Sequence, residues 1–276
     1  MPRSSSSPIV MTLPPFSGMV KKLVLANVAV FFGLALVGWV APAVAALLTV
    51  HLELIPALAV RGEVWQVVTY GFLHGGILHI LFNMLTLWFI GSYLETSFGP
   101  RWLAEIYFFS LIGAGLTSIA AGYGHLFGLT PYVATLGASG GIFGLLVAFA
   151  VFFGEQPLLL FFLIRIKAKY LVAIYILLAL ASLVKGPEGV AYIAHLGGAL
   201  FGYIYAKWAP RKGLSFATSE WYFSARNGYY RWKRRNAARK FQVYMRKQDK
   251  EIHFDKDGRY IDPDAKKNPN DRRWMN

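Results

Sequence analysis

Residues 72–95 read FLHGGILHILFNMLTLWFIGSYLE. No Lys, Arg, Asp or Glu falls between His74 and Tyr93. Coiled as a helix, at about 1.5 Å per residue, such a run covers the roughly 30 Å of hydrocarbon in a bilayer. Polar side chains are costly at that depth, so those present need a reason. His79 and Asn83 stand four residues apart and share one helix face. From this stretch alone two readings stay open. The pair makes interhelical hydrogen bonds, or it aims donors at a site.

The pattern recurs along the chain. Apolar segments lie near residues 23–41, 74–93, 103–122, 137–153, 169–185 and 190–208. Of the 276 residues, 56% are hydrophobic and 15% charged, whereas soluble domains carry about 25% charged residues. The expected fold is an all-α integral membrane protein, a bundle of six transmembrane helices. Residues 1–20, rich in Ser and Pro, are expected to be disordered. Residues 21–208 hold the spans, and residues 209–276 form a basic, aromatic-rich tail. The connection 42–73 is half apolar, which suits a partly helical segment lying in the interface beside the bundle. The first span ends near VAPAVAA, which offers small residues for cleavage, but its apolar run exceeds the roughly 7–15 residues of a signal core. The chain shows no internal repeat, which disfavours an inverted-repeat transporter.

Basic residues orient the spans. Lys21 and Lys22, then Arg101, then Arg165, Lys167 and Lys169, then the tail, all fall on one side of a six-span bundle. That side is expected to be cytoplasmic, with both termini inside. Residues 207–276 carry 19 Lys and Arg against 8 Asp and Glu, which is +11 of the total +14. The stretch WYFSARNGYYRWKRRNAARKFQVYMRK (221–247) admits three readings. It is a solvated extension, a surface helix on anionic lipid, or, least favoured, a nucleic-acid contact. The acidic spacing of DKDGRYIDPD does not fit a calcium loop.

The chain has no cysteine, so disulfides, thiol nucleophiles and thiolate metal sites are excluded. It has no H-E-x-x-H either, and neither metal nor cofactor is expected. Hydrolytic chemistry has another source. In ATLGASGGIFGLL (134–146), Ser139 falls at a helix start among glycines. Unpaired amides and the positive end of the helix dipole favour negative charge there. In AYIAHLGGALFGYIYAKW (191–208), His195 shares a face with Gly198 and Gly202, whose spacing lets a neighbouring helix approach closely. Serine hydrolysis needs a nucleophile, a base and oxyanion donors. Ser139, His195, and the Ser139 amide with His79 and Asn83 supply one candidate for each role. The alternative is packing alone, with Ser139 as a small residue and His195 bonded to a backbone carbonyl. No carboxylate completes a triad. The first Asp is Asp249, and every earlier acid is a Glu in a loop or near a span end. The chemistry would therefore rest on a Ser-His dyad.

HILFN (His79, Asn83), GASG (Gly137 to Gly140) and AHLGGALFG (His195, Gly198, Gly202) occur in that order on the second, fourth and sixth apolar segments. Over residues 20–208 the chain resembles the rhomboid family of intramembrane serine proteases. The resemblance implies Ser139 as nucleophile, His195 as general base, and an oxyanion site from His79, Asn83 and the Ser139 backbone. It implies that Phe143, four residues after the serine, packs on His195. It also implies that Glu95 in GSYLE, with Gly91, holds the cytoplasmic end by hydrogen bonds. RGEVWQ is similar to the family's Trp-Arg loop motif, with Gln66 where Arg is usual. The implied function is an intramembrane serine endopeptidase that cleaves within or near transmembrane segments through an acyl-enzyme. The alternative is a non-catalytic rhomboid-like protein that binds transmembrane clients. Inactive members lose the serine or histidine, or place proline beside the serine, and this chain does none of these. The implied partners are transmembrane protein substrates and the lipid bilayer; anionic lipid at the tail stays one of the three readings of the tail's charge. The implied residence is the plasma (inner) membrane.

Overall fold

A computed structural model describes residues 13–160, 164–183, 189–209 and 213–261. The chain divides into two compact units, Met1–Leu214 and Ser215–Asn276. In the first unit, helices α1 (Gly18–Val40), α5 (Ile77–Phe98), α6 (Pro100–Tyr123), α7 (Ser139–Phe153), α8 (Ala168–Ser182) and α9 (Gly189–Trp208) lie on the six apolar segments. Among the described residues, α1, α5 and α6 are long and apolar enough to cross a membrane. Helices α7 and α8 are apolar but have 15 residues each, about 22 Å of rise. The reading of residues 1–20 as disordered falls partly on residues 1–12, outside the described residues. Beyond them, the carbonyls of Pro14 and Pro15 accept hydrogen bonds from Trp88 Nε1 (3.1 Å) and Ser92 Oγ (2.9 Å).

Sequence chemistry sets the helix boundaries. Pro42, Pro56 and Pro100 open α2 (Pro42–Leu52), α3 (Pro56–Val60) and α6, where a residue with no N–H and a fixed φ costs nothing. The chain reverses between α5 and α6 at Gly99, whose φ of +91° suits a residue without a side chain. Glu95 sits one turn earlier. Its carboxylate accepts from Met19 N (2.7 Å) and Val20 N (2.9 Å), satisfying two unpaired donors at the start of α1.

The connection 42–73 is folded and largely helical, with α2, α3, α4 (Gln66–Thr69) and a 3₁₀ turn at Tyr70–Phe72. Gln66 is its hub. The side chain is fully buried, accepts from Ile55 N (2.9 Å), and donates to Glu63 Oε2 (2.8 Å) and Val50 O (3.3 Å). Thr69 Oγ1 adds a bond to Leu52 O (2.7 Å). A neutral amide, with both donor and acceptor ends, thus ties this loop. The loop is fixed to the segment before α7 by Leu54 and Thr135, which exchange two backbone bonds of 2.9 Å, and by Ala57 N to Pro131 O (2.9 Å).

The described residues are mostly helical, as expected, with two short hairpins beside the helices. Strands β1 (Pro157–Leu160) and β2 (Ile164–Lys167) pair antiparallel between α7 and α8, with Leu158 opposite Ile166. Ile164-Arg165-Ile166-Lys167 alternates with period two, a strand pattern. Glu155 anchors the base of the hairpin through Lys167 Nζ (2.7 Å) and Lys169. In the second unit, β3 (His253–Phe254) and β4 (Tyr260–Ile261) form another short hairpin after α10 (Leu214–Arg246). Phe254 meets Phe241 edge-on at 6.4 Å, and Gln242 Nε2 donates to Ile252 O (3.1 Å).

The core of the first unit lies where α6, α7 and α9 meet, around Trp102, Leu103, Ile106, Tyr107 and Leu145, all essentially inaccessible. Glycines bring these backbones together. A β-carbon on Gly198 would overlap the carbonyl oxygen of Gly140, and one on Gly202 would overlap the Cα of Gly144. The neighbour that the G-x-x-x-G step of α9 admits is therefore α7, the helix that begins with Ser139.

Candidate active site

Ser139 is the first residue of α7. The first ladder bond runs from Ile142 N to Ala138 O (3.1 Å), so the amides of Ser139, Gly140 and Gly141 precede the ladder. The chain reaches this point through Gly137, whose N–H donates to Tyr70 O (2.9 Å) and whose φ is +123°. Tyr70 is itself fixed, fully buried, with its hydroxyl donating to Leu111 O (2.7 Å). Loop, turn and helix start are thus one rigid assembly.

His195 Nε2 lies 2.8 Å from Ser139 Oγ. With the ring proton on Nδ1, the serine hydroxyl donates to Nε2. Among the described residues no carboxylate bonds or pairs with His195. Rings hold it instead. Phe143 stacks on the imidazole at 4.3 Å with only 8° between planes, and Tyr192 meets it edge-on at 6.0 Å. Phe143 stands one helical turn after Ser139, so the helix that presents the hydroxyl also presents the ring that orients the histidine.

His79 approaches from α5. A β-carbon on Gly137 would stand 3.0 Å from both Cε1 and Nε2 of His79, and 3.6 Å from Ser139 Oγ. Glycine is therefore required there twice, for its positive φ and for the space that lets His79 face the helix start. Gly75 N–H points to His79 Nδ1 at 3.4 Å, which leaves Nε2 to carry the proton on the side facing Gly137. One turn along the same face, Asn83 is buried, and its Nδ2 makes no hydrogen bond among the described residues. A buried amide donor without a protein acceptor is costly in a purely structural role. Gly140 completes the wall: a β-carbon on it would stand 2.7 Å from Ala114 Cβ and 3.0 Å from Tyr70 Oη.

Two residues went unmarked by the sequence reading. His74 buries both ring nitrogens, unbonded among the described residues, and its ring meets that of His79 edge-on at 5.0 Å. A second histidine in the opening stretch was the available signal. Tyr70 acts through its backbone carbonyl and a distant backbone acceptor, and no spacing in the sequence announces either.

The family model of the Rhomboid domain matches residues 61–211. The chain belongs to the rhomboid family. The match takes in Glu95, both faces of the Ser139–His195 pair, and the glycine seam of α7 and α9. Curated relatives also carry rhomboid names. Rhomboid-like protein 19 of Arabidopsis thaliana is 28% identical over 167 residues, 59% of this chain and 54% of its own length. Rhomboid protease GluP of Bacillus subtilis (strain 168) is 34% identical over 146 residues, 52% of this chain and 26% of its own. Inactive RHOMBOID-like protein 8 of Arabidopsis thaliana is 40% identical over 63 residues, 23% of this chain and 18% of its own. The chain thus spans about half the length of the first of these relatives and less of the others. As a rhomboid with several long apolar helices, it is a multi-pass membrane protein. The family includes proteins named as protease and as inactive, and one similar relative is named mitochondrial, Rhomboid protein 1 of Saccharomyces cerevisiae (strain ATCC 204508 / S288c), 33% identical over 147 residues, 51% of this chain and 40% of its own.

Proposed function

We propose that this rhomboid is an intramembrane serine endopeptidase working through a Ser139–His195 dyad. The observation that carries the reading is the 2.8 Å approach of His195 Nε2 to Ser139 Oγ at an open helix start. A transmembrane substrate satisfies its backbone internally, so a segment must unwind before its carbonyl meets Ser139. His195 takes the Ser139 proton as Oγ bonds to the carbonyl carbon. The charge that develops on the carbonyl oxygen falls to His79 Nε2–H, Asn83 Nδ2–H and the Ser139 amide. The imidazolium then protonates the leaving amine as the C–N bond breaks, giving an acyl-enzyme. Water, deprotonated by His195, attacks the ester, and the proton returns to Oγ as the carboxylic acid leaves.

In the same reading all six apolar helices cross the bilayer, both termini lie in the cytoplasm, and the plasma membrane is the residence. The basic residues near the ends of α1, α5, α7 and α9 support that orientation. The substrates are membrane proteins whose transmembrane segments unwind readily.

The test is labelling by a fluorophosphonate together with cleavage of a transmembrane peptide in liposomes. Wild-type protein should label and cleave, and Ser139→Ala should do neither. Cleavage retained by purified Ser139→Ala would overturn the assignment. A wild-type protein that retains transmembrane clients without labelling or cleavage would favour the second reading, a non-catalytic binder. The similarity to a relative named inactive gives that reading its footing.

A further inference from the structure

The protease reading makes no use of α10. This helix carries eight Lys and Arg and one acidic residue, Glu220, a net charge of +7. The hairpin β3–β4 covers one side. Ala238 is the helix's buried residue among those described, and Gly258 lies against the backbone of Arg234 and Arg235. The other side is bare. Tyr222, Arg226, Tyr229, Lys233, Lys240 and Val243 follow one another at helical spacing and form one stripe. Trp232 lies beside it. Tyr222, Tyr229 and Trp232 are 54–56% exposed, and the Arg226 guanidinium sits 5.0 Å from the Phe223 ring and 5.9 Å from the Tyr222 ring.

Neither water nor hydrocarbon suits this stripe. Water leaves three large rings wet, and hydrocarbon strips the cations. The headgroup layer accepts both, with rings at the acyl boundary and Lys and Arg stems reaching toward phosphate. Charge complementarity selects the anionic lipids, and only residues 209–213 separate α9, a helix of the membrane domain, from α10. Single-stranded nucleic acid also takes cations and rings, but it is held in grooves that track its backbone, and the stripe is convex. We propose that this face of α10 docks on anionic phospholipid at the bilayer surface.

The absence of cysteine makes the test clean. A nitroxide is placed at Asn236→Cys, within the stripe, or at Ala237→Cys, on the hairpin side, in the full chain. The protein is reconstituted in nanodiscs of phosphatidylcholine alone or with one third phosphatidylserine. The expected result is immersion of the Asn236 probe only with phosphatidylserine, its reversal by high salt, and no immersion of the Ala237 probe. Each basic residue at the surface multiplies docking roughly fivefold. Replacing Arg226, Lys233 and Lys240 together by Gln, which keeps helix propensity, should lower the docked-to-free ratio about a hundredfold, and Glu replacements should lower it further. Circular dichroism confirms that α10 persists in each variant. Equal immersion in neutral and anionic nanodiscs, immersion in neither, or indifference to the Gln variants would overturn the proposal. Protection of the Asn236 probe by a single-stranded RNA oligonucleotide, without immersion in anionic nanodiscs, would overturn it in favour of nucleic acid.

Discussion

His195 is oriented by a flat ring 4.3 Å away, where a Ser-His-Asp enzyme would use a carboxylate. Stacking of this kind contributes about 1 kcal/mol. Phe143→Ala should therefore lower kcat roughly fivefold or more, while Phe143→Tyr retains activity, as read by cleavage of a fluorogenic transmembrane peptide. Asn83→Ala removes a buried donor that has no acceptor within the described chain. If Asn83 bonds the oxyanion, kcat should drop by about a hundredfold, near the loss seen for single oxyanion donors, with thermal stability unchanged or raised. A purely structural Asn83 would instead lower stability and leave kcat alone. Much of this site was legible. Ser139, His195, His79 and Asn83 announce themselves because polar side chains are rare in apolar helices. Tyr70 and His74 did not, since a backbone acceptor and an off-helix ring leave no periodic mark.

Glycine spacing and basic charge act on whole elements. Gly198→Ala would drive a methyl group into the carbonyl of Gly140, and overpacking of this kind costs about 1–3 kcal/mol. Thermal melting in detergent should shift down, and Ser139 labelling should slow as α9 moves His195. Gly33→Ala in α1, where nothing lies within 4 Å, is the neutral control. The β1–β2 hairpin offers a pH test. Hydrogen bonds from Lys167, then Lys169, hold the Glu155 carboxyl down at about 2. A folded pKa below the unfolded one means that the clamp supports the hairpin above the ordinary carboxylate range and is lost as pH falls toward 2. Amide exchange over residues 154–169, corrected for intrinsic rate, should be flat from neutral pH to about 5 and rise below the ordinary carboxylate pKa of about 4.3. Glu155→Gln should flatten that rise. The hairpin itself was missed because its apolar first strand matches a helix end as well as a strand, and short apolar runs do not distinguish the two. The helices were legible because long, uncharged runs admit one solution in lipid.

The dyad, its flanking rings and the candidate oxyanion donors all lie within Met1–Leu214. Removing residues 215–276 should therefore leave cleavage of a detergent-solubilised peptide within about twofold of the full chain. A larger loss would place part of the machinery in the tail. The seam of Gly140 and Gly144 against Gly198 and Gly202 has a mechanical meaning as well. Backbones in direct contact cannot slide past one another by rotating side chains, so α7 and α9 resist shear as a keyed joint does. Under a stretching force applied through the two termini, α1, whose outer face is largely exposed among the described residues, should peel away at low force. Helices α6, α7 and α9 should then give way in one abrupt step at high force, and Gly198→Ala should split that step into smaller ones.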